Sequence, residues 1–443
     1  MQDYVVSGSY SRESEVQFVR ISLVVGLVGG VFACGETDEP KDPCAGVTGE
    51  CVQIFPSATV QDEAQTALIN AQPGDTIAFM AGVHEFTRGL SLDVAGVTIR
   101  GAGMDHTTLS FANQTDGAQG LLVTADDFII EDIAVEDTAG DAIKVEGVTG
   151  VFFRRTRVEW TGGALSTNGA YGLYPVQCTN VLIEDSVAIG ASDAGIYVGQ
   201  STNIIVRRNR AEFNVAGIEI ENSVDADVYD NVATNNTGGL LVFNLPGLPM
   251  KRGERTRIYN NDVYSNNTAN FAPPGNIVGK VPKGTGFAAI AAHNVEIFGN
   301  SFRDNQTGNL AIISYFTTEI EYDDPEYDPY SDSLYIHDNE FVGGGTEPVD
   351  ELGFVLVQAI ITIWDAPFIV PDIVIDGFVN PVYADKSNPG QLAAPYQVCV
   401  QNNGDADFIN LDKPNDHANV TVDAAPHDCT HPGLTPVSIP GVE

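Results

Sequence analysis

Basic residues are scarce in this chain. Its 443 residues carry 21 Lys and Arg against 60 Asp and Glu, a formal charge of −39. A surface so acidic repels phosphate backbones and anionic headgroups, which excludes nucleic acid as a partner. It also disfavours a polyanionic glycan unless Ca²⁺ or a local arginine patch intervenes. Cysteine is sparse too: there are six, and none are spaced as a zinc site requires. Histidine numbers seven, and neither His293 nor His337 has neighbours in sequence that suggest a catalytic triad. The apolar run Ile21 to Ala33 is too short to span a bilayer.

What the chain does have is a repeat. Between Phe128 and Phe341 its short apolar runs align into an inward column of Ile130, Phe153, Ile183, Val206, Val228, Ile258, Ile297 and Ile336, with spacings of 23, 30, 23, 22, 30, 39 and 39 residues. Three residues later stands a polar column, Ile133, Thr156, Ser186, Asn209, Asn231, Asn261, Asn300 and Asn339, and two further on an apolar one from Val135 to Phe341. A strand-like unit of constant register with insertions at one point per turn predicts a solenoid of stacked coils. Equivalent residues then lie about 4.8 Å apart across parallel strands. A buried asparagine column is sensible there, because each amide both donates to and accepts from a neighbouring coil.

A second strand per coil shows as Ile143/Val145, Leu173/Val176, Ile196/Val198, Ile218/Ile220, Leu240/Val242 and Phe287/Ile290. It is preceded by small residues, among them Gly172, Gly195 and Gly217. The expected fold is therefore all-β, a right-handed parallel β-helix over residues 56–345. Val60 to Ala71 has near-helical apolar spacing and stops at Pro73-Gly74-Asp75, which predicts a helix capping the open end of the core. Residues 346–443, with strand-like Phe354 to Trp364 and Ile373 to Phe378, read as last irregular coils and a C-terminal cap. Glu131, Arg154, Glu184, Arg207 and their neighbours Asp132, Arg155, Asp185, Arg208 alternate in sign from coil to coil, which predicts a salt-bridge seam.

The N-terminal segment reads as an address. Arg20, the apolar run and Val31-Phe32-Ala33-Cys34 resemble the lipobox of bacterial lipoproteins. The resemblance implies a signal over residues 1–33, lipidation of Cys34 and a tether over 34–55. The residue after Cys34 is not Asp, which by resemblance to known sorting implies the outer membrane. Cys44 and Cys51 are close enough to close a small loop, Cys399 and Cys429 close a C-terminal one, and Cys178 is left as a buried, inert thiol.

Pro73-Gly74-Asp75-Thr76-Ile77 and Val97-Thr98-Ile99-Arg100-Gly101 resemble the N-terminal coils of pectate-lyase-like β-helix proteins, and the overall pattern looks like bacterial β-helix repeat lipoproteins. Tyr171-Gly172-Leu173-Tyr174-Pro175-Val176 resembles the site motif Tyr-Gly-Phe-Asp-Pro-His of mannuronan C5-epimerases. Here Tyr174 stands at the Asp and Val176 at the His, so the groups that would exchange the C5 proton and handle charge are missing.

Around this motif, Lys144, Tyr174, Tyr197 and Glu219 fall one per coil and predict a groove beside Gly172, Gly195 and Gly217. Tyr171, Lys144, Tyr174 and Glu219 are the candidate catalytic groups, and Tyr197 is a sugar-stacking one. Insertions Leu245 to Thr256, locally basic, and Asn270 to Gly286 are expected to wall it. Glu321 to Asp332 concentrates carboxylates, with Asp323, Asp324 and Asp328 as candidate Ca²⁺ ligands. The expected function is an envelope β-helix lipoprotein that binds a polysaccharide or a partner protein. The alternative is a lyase or C5-epimerase acting on a uronate-containing polysaccharide.

Overall fold

The strands stack in the register that the repeat dictates. Phe153 pairs with Ile130 on one side and Ile183 on the other, and the same column continues through Val206, Val228, Ile258, Ile297 and Ile336. It begins earlier than expected, at Val52, Ile77 and Ile99, and continues to Val400. The computed structural model describes residues 39–349 and 369–442. Residues 1–38, which include Cys34, and the segment Phe354 to Trp364 lie outside the described residues.

All the strand pairings of the two sheets, of 20 and 11 strands among the described residues, are parallel, the stacking of a right-handed parallel β-helix. The first sheet is two rows joined by the long strands Phe128–Glu136 and Thr149–Glu159. The second faces them across the core. Parallel pairing starts at Cys51–Ile54, before residue 56, and goes on past residue 345 through Ile373–Ile375, Val398–Gln401 and Phe408–Asn410. The helix Val60–Asn70 buries Val60, Ala64 and Leu68 against the first coils, as a cap should. Cys44 is bonded to Cys51 and Cys399 to Cys429, while Cys178 is free and buried.

Each coil turns on a left-handed corner. Asp132, Arg155, Asp185, Arg208, Asp230, Asn260 and Asp338 all have positive φ, and the next residue enters the polar column. There Asn209 donates to Asn231, Asn231 to Asn261, Asn261 to Asn300, Asn300 to Asn339 and Asn339 to Asn403, each amide bond being 2.9–3.0 Å. A second ladder follows a second corner: Asn214 to Asn236, Asn236 to Asn266 and Asn266 to Asn305 at 3.0–3.1 Å. This second ladder explains the glycine column. A Cβ on Gly195 would lie 2.6 Å from the Asn214 amide, and one on Gly217 would lie 2.8 Å from that of Asn236. Gly195 and Gly217 thus make room for asparagines inside the coil, and Gly172 approaches Gly195 and Val158. These three glycines thus face the coil interior and do not line an outer groove.

The expected seam is present. Arg155 meets Asp132 and Glu131 at 2.8 Å, Arg154 meets Glu184 at 2.9 Å, and Arg208 meets Asp185 and Glu184 at 2.8 Å. In later coils a stack of rings, Tyr229, Tyr259, Phe298 and His337, replaces it, with centroids 4.7–5.2 Å apart. After Cys429 the chain runs back along this sheet. Leu434 N–H donates to Glu296, Val437 N–H to Asp227, and the Ser438 carbonyl accepts from Asn203, while Ile439 covers Leu182 and Ile205.

Two substitutions test this architecture. Asn231→Ala strands the Asn209 side-chain N–H, its backbone N–H and the Val206 carbonyl. At roughly 1–3 kcal/mol per unsatisfied group, urea unfolding is expected to register a loss of about 3 kcal/mol or more. A loss well below about 1 kcal/mol would contradict an energetic role for the ladder. Gly217→Ala is expected to lower the melting temperature, because its methyl must displace either the Asn236 amide or the Gly239 carbonyl, 2.6 Å away.

Candidate functional site

Four strands of the second sheet, Asp141–Glu146, Tyr171–Val176, Ala194–Gly199 and Ala216–Glu221, present side chains alternately to the core and outward. Lys144 lies opposite Tyr174, Leu173 opposite Ile196, and Tyr197 opposite Glu219. Lys144, Tyr174, Tyr197 and Glu219 are therefore one outward column, one per coil. Asp141 and Tyr171 stand on its one side and Glu146 and Glu221 on the other.

The rings converge. Tyr171 lies 4.5 Å from Tyr174 and 4.6 Å from Tyr197, and Tyr174 and Tyr197 meet edge to face at 5.1 Å. Lys144 Nζ sits 5.5 Å from the Tyr174 ring centre and 2.9 Å from Glu146. The Tyr197 hydroxyl donates to Glu221 at 2.7 Å.

The column is not an open groove along its whole length. Tyr197 is only 4% and Glu219 only 1% exposed. The insertion from Asn270 onward lies over them: Val278 and Val281 pack with Tyr197 and Leu241, and Asn276 donates to Asp193 at 2.8 Å. Asn270 holds that loop in shape by donating to the Val278 and Val281 carbonyls. The insertion is thus a cover rather than a wall. The accessible mouth consists of Asp141, Lys144, Tyr171 and Tyr174, all partly exposed.

Beneath the cover Glu219 is joined by two carboxyls that the sequence does not single out, Asp193 and Glu221. Burial, and then the neighbouring Glu221, hold the Asp193 carboxyl above its ordinary range, while the Tyr171 hydroxyl and Asn276 bond to it. Burial raises both Glu221 and Glu219, and at Glu219 the neighbouring Asp193 and Glu221 add repulsion. Burial pushes Asp141 up to about 6. The same burial raises the tyrosine hydroxyls, so they act as neutral donors. Glu221 was detectable in principle: two residues after Glu219 on one strand, it must share its face.

The candidate Ca²⁺ ligands do not converge. Asp324 accepts from Lys251 and the Gly247 N–H at 2.8 Å, Asp323 is exposed, and Asp328 faces Arg252. The basic and acidic insertions neutralise each other.

Residues 70–278 match the family profile of the periplasmic copper-binding protein NosD. The chain thus carries a NosD-like β-helix, matched over slightly less than half its length. No curated protein sequence matches it significantly. Among solved structures it is similar to the A-module of mannuronan C-5 epimerase AlgE4 from Azotobacter vinelandii, with 17% identity, 81% of this chain and 93% of that one covered, and a TM-score of 0.49. It is also similar to pectate lyase Pel9A, with 14% identity, coverage of 68% and 78%, and a TM-score of 0.37. The alginate lyase of Paenibacillus sp. str. FPU-7 is 15% identical, with coverage of 67% and 95% and a TM-score of 0.34.

Copper favours converging thiolate, thioether or imidazole donors. Within the matched residues, Cys178 is buried with its thiol donating to the Val145 and Val176 carbonyls, and His84 bonds the Met80 carbonyl. Among the described residues there, no three His, Cys, Asp or Glu side chains bring ligand atoms together. The described residues of the matched coils therefore gather no copper centre from His, Cys, Asp or Glu donors alone.

The buried carboxyls predict a pH dependence with a definite sign. Each binds its proton more tightly folded than unfolded, so its contribution is fully present below the ordinary carboxyl pKa near 4. It is lost as pH rises through about 6 for Asp141 and higher for the other three. Melting temperatures between pH 4.5 and 8 are expected to fall, and an Asp193→Asn/Glu221→Gln variant is expected to fall less. Parallel curves for the two proteins would refute the assignment.

Proposed function

We propose that this protein is an exported cell-envelope β-helix that binds a neutral glycan at the mouth formed by Asp141, Lys144, Tyr171 and Tyr174, and does not process polyuronates. The observation that carries the reading is the composition of the accessible mouth: Tyr171 and Tyr174 with their rings in contact, the Asp141 carboxyl, and Lys144 as the cation, already paired with Glu146. Tyrosine rings stack on sugar faces, and the Asp141 carboxyl accepts from sugar hydroxyls. A uronate chain would instead bring its carboxylates against Asp141 and Glu146. Epimerisation or elimination also needs a base beside a cationic neutraliser, and Tyr174 and Val176 occupy the two motif positions that would supply the missing groups.

Export is supported by the signal-like N-terminus, and the NosD family is described as periplasmic. Attachment through an acylated Cys34, to the outer membrane, completes the reading, with the β-helix as a rigid platform.

The test is affinity electrophoresis and calorimetry on matched neutral and uronate polysaccharides. Binding to a neutral glycan is expected to weaken about tenfold in Tyr174→Ala, a change of about 1.4 kcal/mol. Proton NMR that reveals unsaturated or C5-inverted uronate, lost in Lys144→Ala, would overturn the proposal in favour of the lyase or epimerase.

A further inference from the structure

On the first sheet, at the far end from the tyrosine face, a different constellation forms. His293 opens one strand and Asp332 opens the next, paired in register, with Glu254 in the same position on the coil before. His293 Nδ1 lies 2.7 Å from Asp332 Oδ2, and both side chains are buried. Asp328 arrives from the acidic insertion. One ligand atom from each of His293, Asp328 and Asp332 lies within 4.8 Å of the others, a grouping that no other three such side chains achieve among the described residues.

The two carboxylates are oriented from outside. Ser333 donates to Asp332 at 2.8 Å, and Asn380 reaches both oxygens of Asp328 at 3.2 and 3.3 Å. Tyr327, next to Asp328, anchors the insertion by donating to the Asn244 carbonyl at 2.6 Å. Such outer contacts fix ligand geometry in metal sites.

The cation now between the carboxylates fits poorly. Arg252 lies 3.2 Å from Asp328, 3.6 Å from Asp332 and 3.3 Å from Glu254. Arg155 with Asp132 and Arg257 with Asp227 close to 2.8 Å in the same protein. The guanidinium satisfies three carboxylates loosely and makes a two-pronged bond with none, where a good pair would form two short ones. Arg252, Asp332 and Asn294 also line a cleft of about 510 Å³ beside Tyr335, Tyr396 and His431, so solvent borders the cluster on its Asp332 and Arg252 side.

We propose that His293, Asp328 and Asp332 form a binding site for a divalent transition-metal ion, entered from this cleft, with Arg252 displaced toward Glu254 when the ion binds. One imidazole with two carboxylates suits Zn²⁺, Co²⁺, Ni²⁺ or Cu²⁺, whereas Ca²⁺ and Mg²⁺ favour all-oxygen shells. Two carboxylates balance the incoming charge, which removes the need for the guanidinium. The site lies outside the residues matched to NosD and is independent of the glycan reading.

The test is titration of the intact protein with Co²⁺ and Zn²⁺, followed by calorimetry and by the visible absorption of Co²⁺. One equivalent is expected to bind, with His293→Gln and Asp332→Asn each weakening it about 100-fold or more, beyond the loss typical of an outer-contact variant. Arg252→Gln is expected to tighten it. Asp328→Asn, at a less buried position, serves if the core variants fail to fold. Absence of stoichiometric uptake, uptake unchanged in Asp328→Asn and His293→Gln, or a preference for Ca²⁺ would each overturn the proposal.

Discussion

The structure depends on the asparagine amide that bridges one coil to the next. In a solenoid the interior of every corner holds backbone groups that no strand can reach, and leaving them unpaired in a dry core is costly. The chain meets this with a local rule: a residue in the left-handed region turns the corner, and the residue after it sends an amide inward. Asn231 shows the consequence, since it accepts from Asn209 and donates both to Asn261 and to the Val206 carbonyl. The inward apolar columns then supply the hydrophobic term, about 1.5–3 kcal/mol for each fully buried large side chain. Glycine at the second position of these second-sheet strands is a corollary, because the ladder and a Cβ compete for the same space.

Much of this was legible because it is periodic. The columns from Ile130 to Ile336 and from Asn209 to Asn339 hold their register in three dimensions. The second ladder was equally available, since Asn214, Asn236, Asn266 and Asn305 each follow a member of the first by five residues. The glycines stand out in the sequence apart from these asparagine partners, so the space they leave reads as a groove when it is room for the second ladder. Within the candidate site, strand alternation sufficed to align Lys144, Tyr174, Tyr197 and Glu219.

What periodicity does not carry is the path of the insertions. Asn276 reaches Asp193 across 83 residues, and Lys251 reaches Asp324 across 73. Nothing local distinguishes a loop that lies over a face from one that borders it. The same gap hid the pairing of the basic insertion with the acidic one, so carboxylates that looked free for Ca²⁺ proved to be charge partners. Burial of Asp193, Glu219 and Glu221 follows from that cover, which is why the linear pattern shows Glu219 as an open groove residue and does not show Asp193 and Glu221 beside it.

The returning C-terminal segment has a mechanical meaning. A stack whose coils touch only their neighbours frays from its ends, one turn at a time. Here the chain doubles back from the Cys399–Cys429 bond, and Ser438 meets Asn203 across 235 residues of sequence. Late and central coils therefore cannot separate independently: peeling the last turn away drags the returning segment off Asp227, Leu182 and Ile205 as well. A ladder of nearest-neighbour couplings is thereby laced into one cooperative body, resistant at the end where a lone solenoid would begin to unwind.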